Sequence, residues 1–149
     1  MKDETKFIFA EKGTDYFKDG LYMAFMEFFE KYNHPREMMD DIYEENAHHI
    51  VAVFNEKVIG HARFTKVNKK WAKISQVVVD ENYRGMKIGF KLINKLVSEA
   101  RELNLSYVEL DARTSAVNFY MKNGFITIGE EFISEKTGYP LIKMIKKWK

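Results

Sequence analysis

Residues 74–89 read Ile-Ser-Gln-Val-Val-Val-Asp-Glu-Asn-Tyr-Arg-Gly-Met-Lys-Ile-Gly. An apolar, β-branched run from Ile74 to Val79 gives way to a polar turn, Asp80 to Tyr83, and then to a glycine-bearing loop, Arg84 to Gly89. Beyond it Ile88, Leu92, Ile93, Leu96, Val97, Ala100 and Leu103 recur at helical spacing, while Lys91, Asn94, Lys95, Ser98, Glu99 and Arg101 fill the other face. The stretch is therefore a strand, a tight loop and a helix. A loop at a helix start faces free backbone N–H groups and the positive end of the dipole, so it attracts an anion, typically a phosphate. It is neither a Walker A loop nor a Rossmann fingerprint: Gly85 and Gly89 are its only glycines, and no Gly-x-Gly occurs.

Working outward, Leu105 is followed by a strand from Tyr107 to Asp111, which completes a β-α-β unit with a parallel pair and a right-handed crossover. Ser115 to Asn123 reads as a short helix ended by Gly124. Phe125 to Ile128 and Leu141 to Ile145 read as the last strands, joined by a long polar link from Glu130 to Pro140. Upstream, His48 to Phe54, Val58 to Lys66 and Trp71 to Val79 form an antiparallel meander, with Asn55-Glu56-Lys57 as a hairpin signal. Phe7 to Ala10 is a further short strand. Thr14 to Tyr32 is an aromatic- and Met-rich helix with Gly20 as a weak point, and Pro35 opens a second helix to about Glu45. Its acids, Glu37, Asp40, Asp41, Glu44 and Glu45, are expected to form a solvated face. Phe25 and Phe29 on the first helix are candidate walls of a substrate pocket.

The chain has 149 residues, a net charge of +2, 46% apolar and 31% charged residues, and no cysteine. That fits one domain with a real core. The balanced charge gives no reason to expect nucleic acid. No apolar run reaches membrane-spanning length, so no membrane partner is expected and the expected location is cytoplasmic. Without cysteine there is no disulfide and no catalytic thiol, and no metal site is expected, since His48 and His49 read as structural histidines.

Val-Val-Val-Asp-Glu-Asn-Tyr-Arg-Gly-Met-Lys-Ile-Gly resembles the acyl-CoA-binding motif of the GNAT superfamily of N-acyltransferases, Arg/Gln-x-x-Gly-x-Gly/Ala after a strand. Arg84 matches its first position and Gly89 its last. Lys87 stands where the family usually has a glycine; the expectation is a helical backbone there, with Lys87 adding positive charge. A second segment, Asp111-Ala-Arg-Thr-Ser-Ala-Val-Asn-Phe-Tyr-Met-Lys-Asn-Gly-Phe125, resembles the family's Ala-x-x-Phe-Tyr-x-Lys-x-Gly-Phe. Arg113 stands where many members carry an Asn that touches the cofactor, and Asn118 is a polar alternative. His49, the Gly60-His-Ala-Arg63 run and the later Gly129-Glu-Glu-Phe132 resemble a bacterial subgroup whose acceptors are unknown.

The resemblance implies one GNAT-like domain over residues 1–149, of mixed α+β class. Its sheet would have about six to seven mostly antiparallel strands, flanked by about four helices, with a central parallel β-α-β unit. It implies acetyl transfer from acetyl-CoA to a primary amine of a small molecule or peptide, by direct attack, with CoA as product. The implied cofactor site is Val77, Val78 and Val79 with Arg84, Gly85, Met86, Lys87, Ile88, Gly89 and Asn118. Tyr120 is the implied general acid. Glu81 is the first candidate base, with Asp111, Glu131, His49 and a held water behind it; Glu131 is also a candidate substrate contact. A monomer or homodimer is expected. The alternatives are a non-catalytic acyl-CoA-binding module and a protein-interaction module on the same fold.

Overall fold

The computed structural model describes residues 4–148. Seven strands form one sheet: β1 (Lys6–Ala10), β2 (Ala47–Phe54), β3 (Lys57–Lys66), β4 (Trp71–Val79), β5 (Tyr107–Arg113), β6 (Ile126–Ile133) and β7 (Pro140–Lys147), in the order β1-β2-β3-β4-β5-β7-β6. All neighbours are antiparallel except β4 and β5. Three α-helices, α1 (Asp15–Phe28), α2 (Ile88–Glu102) and α3 (Val117–Lys122), pack with four single 3-10 turns. The β2–β3 hairpin closes on Asn55 and Glu56, both left-handed (φ 49° and 63°), the twist a two-residue turn requires.

Alternation along the strands divides the core between two faces. Ile50, Ala52, Phe64, Ala72 and Ile74 pack against Ile88, Leu92, Ile93 and Leu96 of α2. Each fully buried Ile, Leu or Phe side chain among these contributes roughly 1.5–3 kcal/mol. Val51 and Val53 face the other way and pack against Tyr16 and Met23 of α1. Thr14 caps α1 by accepting the Phe17 N–H at 3.3 Å.

Two expectations for the first third of the chain need correction. The first helix ends at Phe28, not Tyr32. A 3-10 turn over Glu30–Tyr32 tightens the chain, and left-handed Asn33 (φ 58°) turns it away. Gly20 causes no break; it is buried mid-helix. The second helix does not form either: only the 3-10 turn Arg36–Met39 is present, followed by turns to Asn46. The cause is a competition for the acidic side chains. Asp41 and Glu44 do not form a solvated face. They turn inward to the Arg63 guanidinium, which is 2% exposed: Nη1 donates to Asp41 Oδ1 (3.0 Å) and Glu44 Oε1 (3.1 Å), and Nη2 to Asp41 Oδ2 (2.9 Å). Thr65 Oγ1 also donates to the Tyr43 carbonyl at 2.7 Å, pinning the segment to β3. A buried cation needs these partners more than the backbone needs a helix.

The network continues under β4. His61 Nδ1 donates to the Gln76 carbonyl (2.8 Å), which fixes Nε2 as the acceptor from His49 Nδ1 (2.8 Å). His49 Nε2 lies 2.8 Å from Glu44 Oε2, within hydrogen-bond distance. Gln76 is left-handed (φ 53°) and occupies a bulge: Arg63 pairs with Ser75, but His61 pairs with Val78. The bulge turns β4 aside. β4 and β5 are paired only over Trp71–Lys73 and Tyr107–Glu109, and beyond that they splay.

Two outcomes follow from this packing. A Cβ on Gly20 would stand 2.7 Å from Val51 Cγ1 and 3.1 Å from His61 Cδ2. Gly20→Ala should therefore destabilise the fold by about 1–3 kcal/mol by overpacking, against the gain of about 1 kcal/mol that Ala brings to an open helix site. Chemical denaturation decides the sign, and a stabilised variant would refute the close contact. The second outcome concerns pH. Burial pushes the His61 pKa down from 6.5 to about 3; despite partial burial, Arg63 holds the Asp41 carboxyl, and His49 followed by Arg63 holds that of Glu44, below their ordinary values. In each case the unfolded chain binds the proton first as pH falls. The stability is therefore fully present above about 6.5 and is lost progressively toward pH 3. The denaturation midpoint should fall between pH 7 and 5, and His61→Gln should flatten that fall; an unchanged slope in the variant would refute the assignment.

Candidate active site

The splay between β4 and β5 opens cavities on both faces of the sheet. The first, about 630 Å³, lies on the α2 and α3 side. Val77, Val78 and Val79 form one wall, Arg84, Gly85, Lys87, Ile88, Gly89 and Phe90 the loop end, and Ala116, Phe119, Tyr120, Lys122 and Asn123 the other side. Among the described residues, no strand pairs with Val77–Val79 on the side that faces β5.

The sequence builds this loop in steps. Asp80 accepts the Asn82 N–H at 2.9 Å and starts the 3-10 turn Glu81–Tyr83. Gly85, at φ 89°, makes the reversal that a side chain would strain. Lys87 then adopts φ 60° and serves as the N-cap residue of α2 with no side-chain cap. This corrects the expectation of a helical backbone at Lys87: the position is left-handed, the conformation for which glycine is best suited, and Lys87 accepts the cost. The first-turn amides of α2 are thus left without a capping side chain at the mouth of the cavity. Gly89 has a packing reason: a Cβ there would stand 3.1 Å from Phe119 Cζ.

Tyr120 is 8% exposed and lines the cavity, held edge-on between Phe119 and Phe125 with ring centroids 5.0 and 5.7 Å away. Burial pushes its pKa well above the ordinary phenol value, with Arg113 pulling weakly the other way, so the hydroxyl keeps its proton at every physiological pH. Asn123 anchors the helix end by donating to the Phe119 carbonyl at 2.8 Å, and Gly124 (φ 90°) follows it as expected.

A second cavity, about 550 Å³, opens toward α1 and the β6–β7 link. Phe28, Phe29, Phe132, Ile133 and Leu141 supply apolar walls, and Gln76, Arg113, Lys73, Asp111, Asp41 and Lys136 supply polar ones. Lys73 Nζ donates to Asp111 Oδ2 at 2.8 Å. His34 Nε2 bonds the Lys136 carbonyl, and Tyr32 meets Tyr139 edge-on at 5.7 Å, so the link is tied down on the segment after α1. A third, smaller cavity of about 390 Å³ lies between α1 and β4 and includes Met26, Glu27, Val78, Val79, Glu81 and Arg84.

The structure thus gathers most of the sequence-predicted residues but not all. Val77–Val79, Arg84, Gly85, Lys87, Ile88, Gly89 and Tyr120 share the first cavity. Met86 and Asn118 are exposed and outside its lining. Phe29 lines the second cavity, whereas Phe25 stacks behind it, its ring centroid 6.5 Å away. Glu131 is exposed on the edge strand β6 and lines none of the three cavities. His49 is buried in the network beneath β4. Gln76 was not legible as a site residue, because nothing in an alternating strand marks the bulge that turns it toward the second cavity.

Among the described residues, no helix is long and apolar enough to cross a membrane. Residues 18–125 match the acetyltransferase (GNAT) family. The chain is 29% identical over 136 residues to YjcF of Bacillus subtilis, described as an uncharacterized N-acetyltransferase, covering 91% of this chain and 95% of that one. Its fold matches ElaA of Escherichia coli with a TM-score of 0.78 at 23% identity, covering 98% and 100% of the two chains. It matches a GNAT family acetyltransferase from Elizabethkingia anophelis, solved with acetyl-CoA bound, with a TM-score of 0.76 at 17% identity over 99% and 100%. With its splayed sheet, glycine loop and Phe-Tyr helix accounted for, the chain belongs to the GNAT superfamily of acyl-CoA N-acyltransferases.

Proposed function

We propose that the chain transfers an acetyl group from acetyl-CoA to a primary amine by direct attack, with the donor in the first cavity and the acceptor in the second. One observation carries this reading: the cavity where β4 leaves β5 brings together unpaired strand backbone, an uncapped helix start and a buried phenol.

The residues fit an acyl-CoA donor as its substrate class requires. The amides at the start of α2, with its dipole, suit a pyrophosphate, and Arg84 and Lys87 add positive charge at the rim. The unpaired backbone of Val77–Val79 suits a strand-like pantetheine arm, and an N–H there would polarise the thioester carbonyl. The acceptor, as R–NH3+, first loses a proton, which we assign through water to Glu81, in the third cavity beside Val78 and Val79. Its nitrogen then bonds to the acetyl carbon as the carbon–sulfur bond breaks. Tyr120 gives its proton to the departing thiolate, and the second proton from nitrogen restores the phenol. Burial that raises the phenol pKa raises that of the thiol in the same cavity, so the transfer stays matched.

For oligomeric state, monomer or homodimer, the relevant feature is β6, an edge strand with Ile126 and Ile133 exposed.

Isothermal titration with acetyl-CoA tests the first cavity. Binding should be about micromolar, and Arg84→Glu should weaken it about tenfold or more, since it replaces an attractive charge with a repulsive one. Equal binding by the variant would refute the loop assignment. Tyr120→Phe should keep the affinity but lower kcat by about 10²–10⁴-fold, the range of general acid catalysis. An unchanged kcat would remove Tyr120 from the mechanism.

A further inference from the structure

The geometry points to an acceptor that carries a carboxylate beside its amine, an amino acid with an apolar side chain, bound in the second cavity between Gln76 and Arg113. This assignment rests on the acyl-transfer reading and names its substrate class.

Two polar side chains lining this cavity have atoms without a partner among the described residues: Gln76 Oε1 and Arg113 Nη2. Their chemistry is complementary. The Gln76 amide oxygen can accept from an ammonium or amine, and the Arg113 guanidinium can donate to a carboxylate. Gln76 directly precedes Val77, on the strand segment that faces the donor cavity, so an amine at Gln76 lies next to the point of transfer. The Gln76 backbone is held at φ 53° by the bond from His61, which keeps the residue at the bulge. Arg113 is fixed between two rings, its Cζ 5.0 Å from the centroid of Phe28 and 5.1 Å from that of Tyr139. Its nearest carboxylate, Glu27, is 3.9 Å away at Nη1, so it retains donor capacity.

The remaining charges argue against a polyamine. Such an acceptor needs free carboxylates, yet of those lining the cavity Asp41 is held by Arg63 and Asp111 by Lys73, which leaves Glu135, exposed on the link. Lys136, over the Phe29 ring at 5.4 Å, adds a cation on the same wall. Lys136 also stands 3.6 Å from Asp41 Oδ2, and the lining as a whole sets Arg63, Lys73, Arg113 and Lys136 against Asp41, Asp111 and Glu135, one cation in excess. Phe28, Phe29, Phe132 and Leu141 suit the acceptor's own side chain. The bonds made and broken are those already written: carbon–nitrogen formed, carbon–sulfur broken, one proton passed through water to Glu81 and one, by way of Tyr120, to the thiolate. The carboxylate takes no part in them.

The test is thiol release from acetyl-CoA with leucine, methionine and phenylalanine, each compared with its carboxamide and its decarboxylated amine. At least one acid should exceed its carboxamide in kcat/KM by about ten- to a hundredfold, the worth of a hydrogen bond to a charged group. Arg113→Gln should abolish this preference through KM, and Arg113→Lys should keep part of it. Gln76→Leu should lower kcat/KM for acid and carboxamide alike. Melting curves on each variant separate these effects from misfolding. Amides or amines used as well as acids, or a preference that survives Arg113→Gln, would overturn the assignment. So would the absence of any turnover of the acids by protein that still binds acetyl-CoA; in that case the donor-site reading stands and the acceptor class falls. Failure to bind acetyl-CoA at all would remove both.

Discussion

Everything around the site depends on one buried cation. Arg63 sits 2% exposed on β3, and the fold supplies it with Asp41, Glu44 and Ser75. Removing a partner from such a pair costs about 3–5 kcal/mol, because the remaining charge stays buried. That cost explains why the segment after α1 abandons a helix and lies as turns against the sheet. It also fixes Glu44, which then holds His49, which orients His61, which bonds the Gln76 carbonyl. A chain of hydrogen bonds thus runs from the outer loop to the bulge in β4. Each member has its partner set by the one before it, so the bulge is held from beneath.

Strain collects where that support is available. Gln76 and Lys87 are non-glycine residues at positive φ, and they bracket the segment that walls the first cavity. Left-handed backbone at such residues costs about 1 kcal/mol or more, and it persists only where the surroundings over-determine it. At Gln76 the His61 bond and the pairing on either side of the bulge do so. At Lys87 the start of α2 does so, through the Lys91 N–H bonding the Lys87 carbonyl at 3.0 Å. Both outliers mark places where the backbone is turned toward a cavity rather than continued along its element.

What was legible in the sequence was local. The strand, loop and helix from Ile74 to Leu103 carry their own periodicity and turn residues. The Phe119-Tyr120 helix carries its stop signal in Gly124. The order of the strands follows from short links and one crossover. What was not legible depended on partners far along the chain. Asp41 and Glu44 look like a solvated face until Arg63, about twenty residues on, is placed beneath them. Gln76 looks like an ordinary strand residue because a bulge leaves no mark in an alternating pattern. Lys87 hides its conformation for another reason: a missing glycine suggests an ordinary backbone, yet neighbouring contacts can force a lysine into the glycine conformation.

The bulge also resolves how one strand can serve two cavities on opposite faces. In a regular strand successive side chains alternate, and the backbone groups lie in the plane of the sheet. At Gln76 and Val77 the extra residue breaks that register. Gln76 then lines the cavity on the α1 side, while Val77 to Val79 wall the one on the α2 side, with Val78 and Val79 also reaching the small cavity against α1. Because β5 has already separated, the later backbone, still paired with β3 on one side, is left without a strand partner on the side that faces β5. A donor that pairs with free backbone and an acceptor that meets side chains are thereby brought to adjacent residues from opposite faces. Direct transfer needs that approach: the two reacting groups enter by separate routes and meet in the gap, without a covalent relay through the protein.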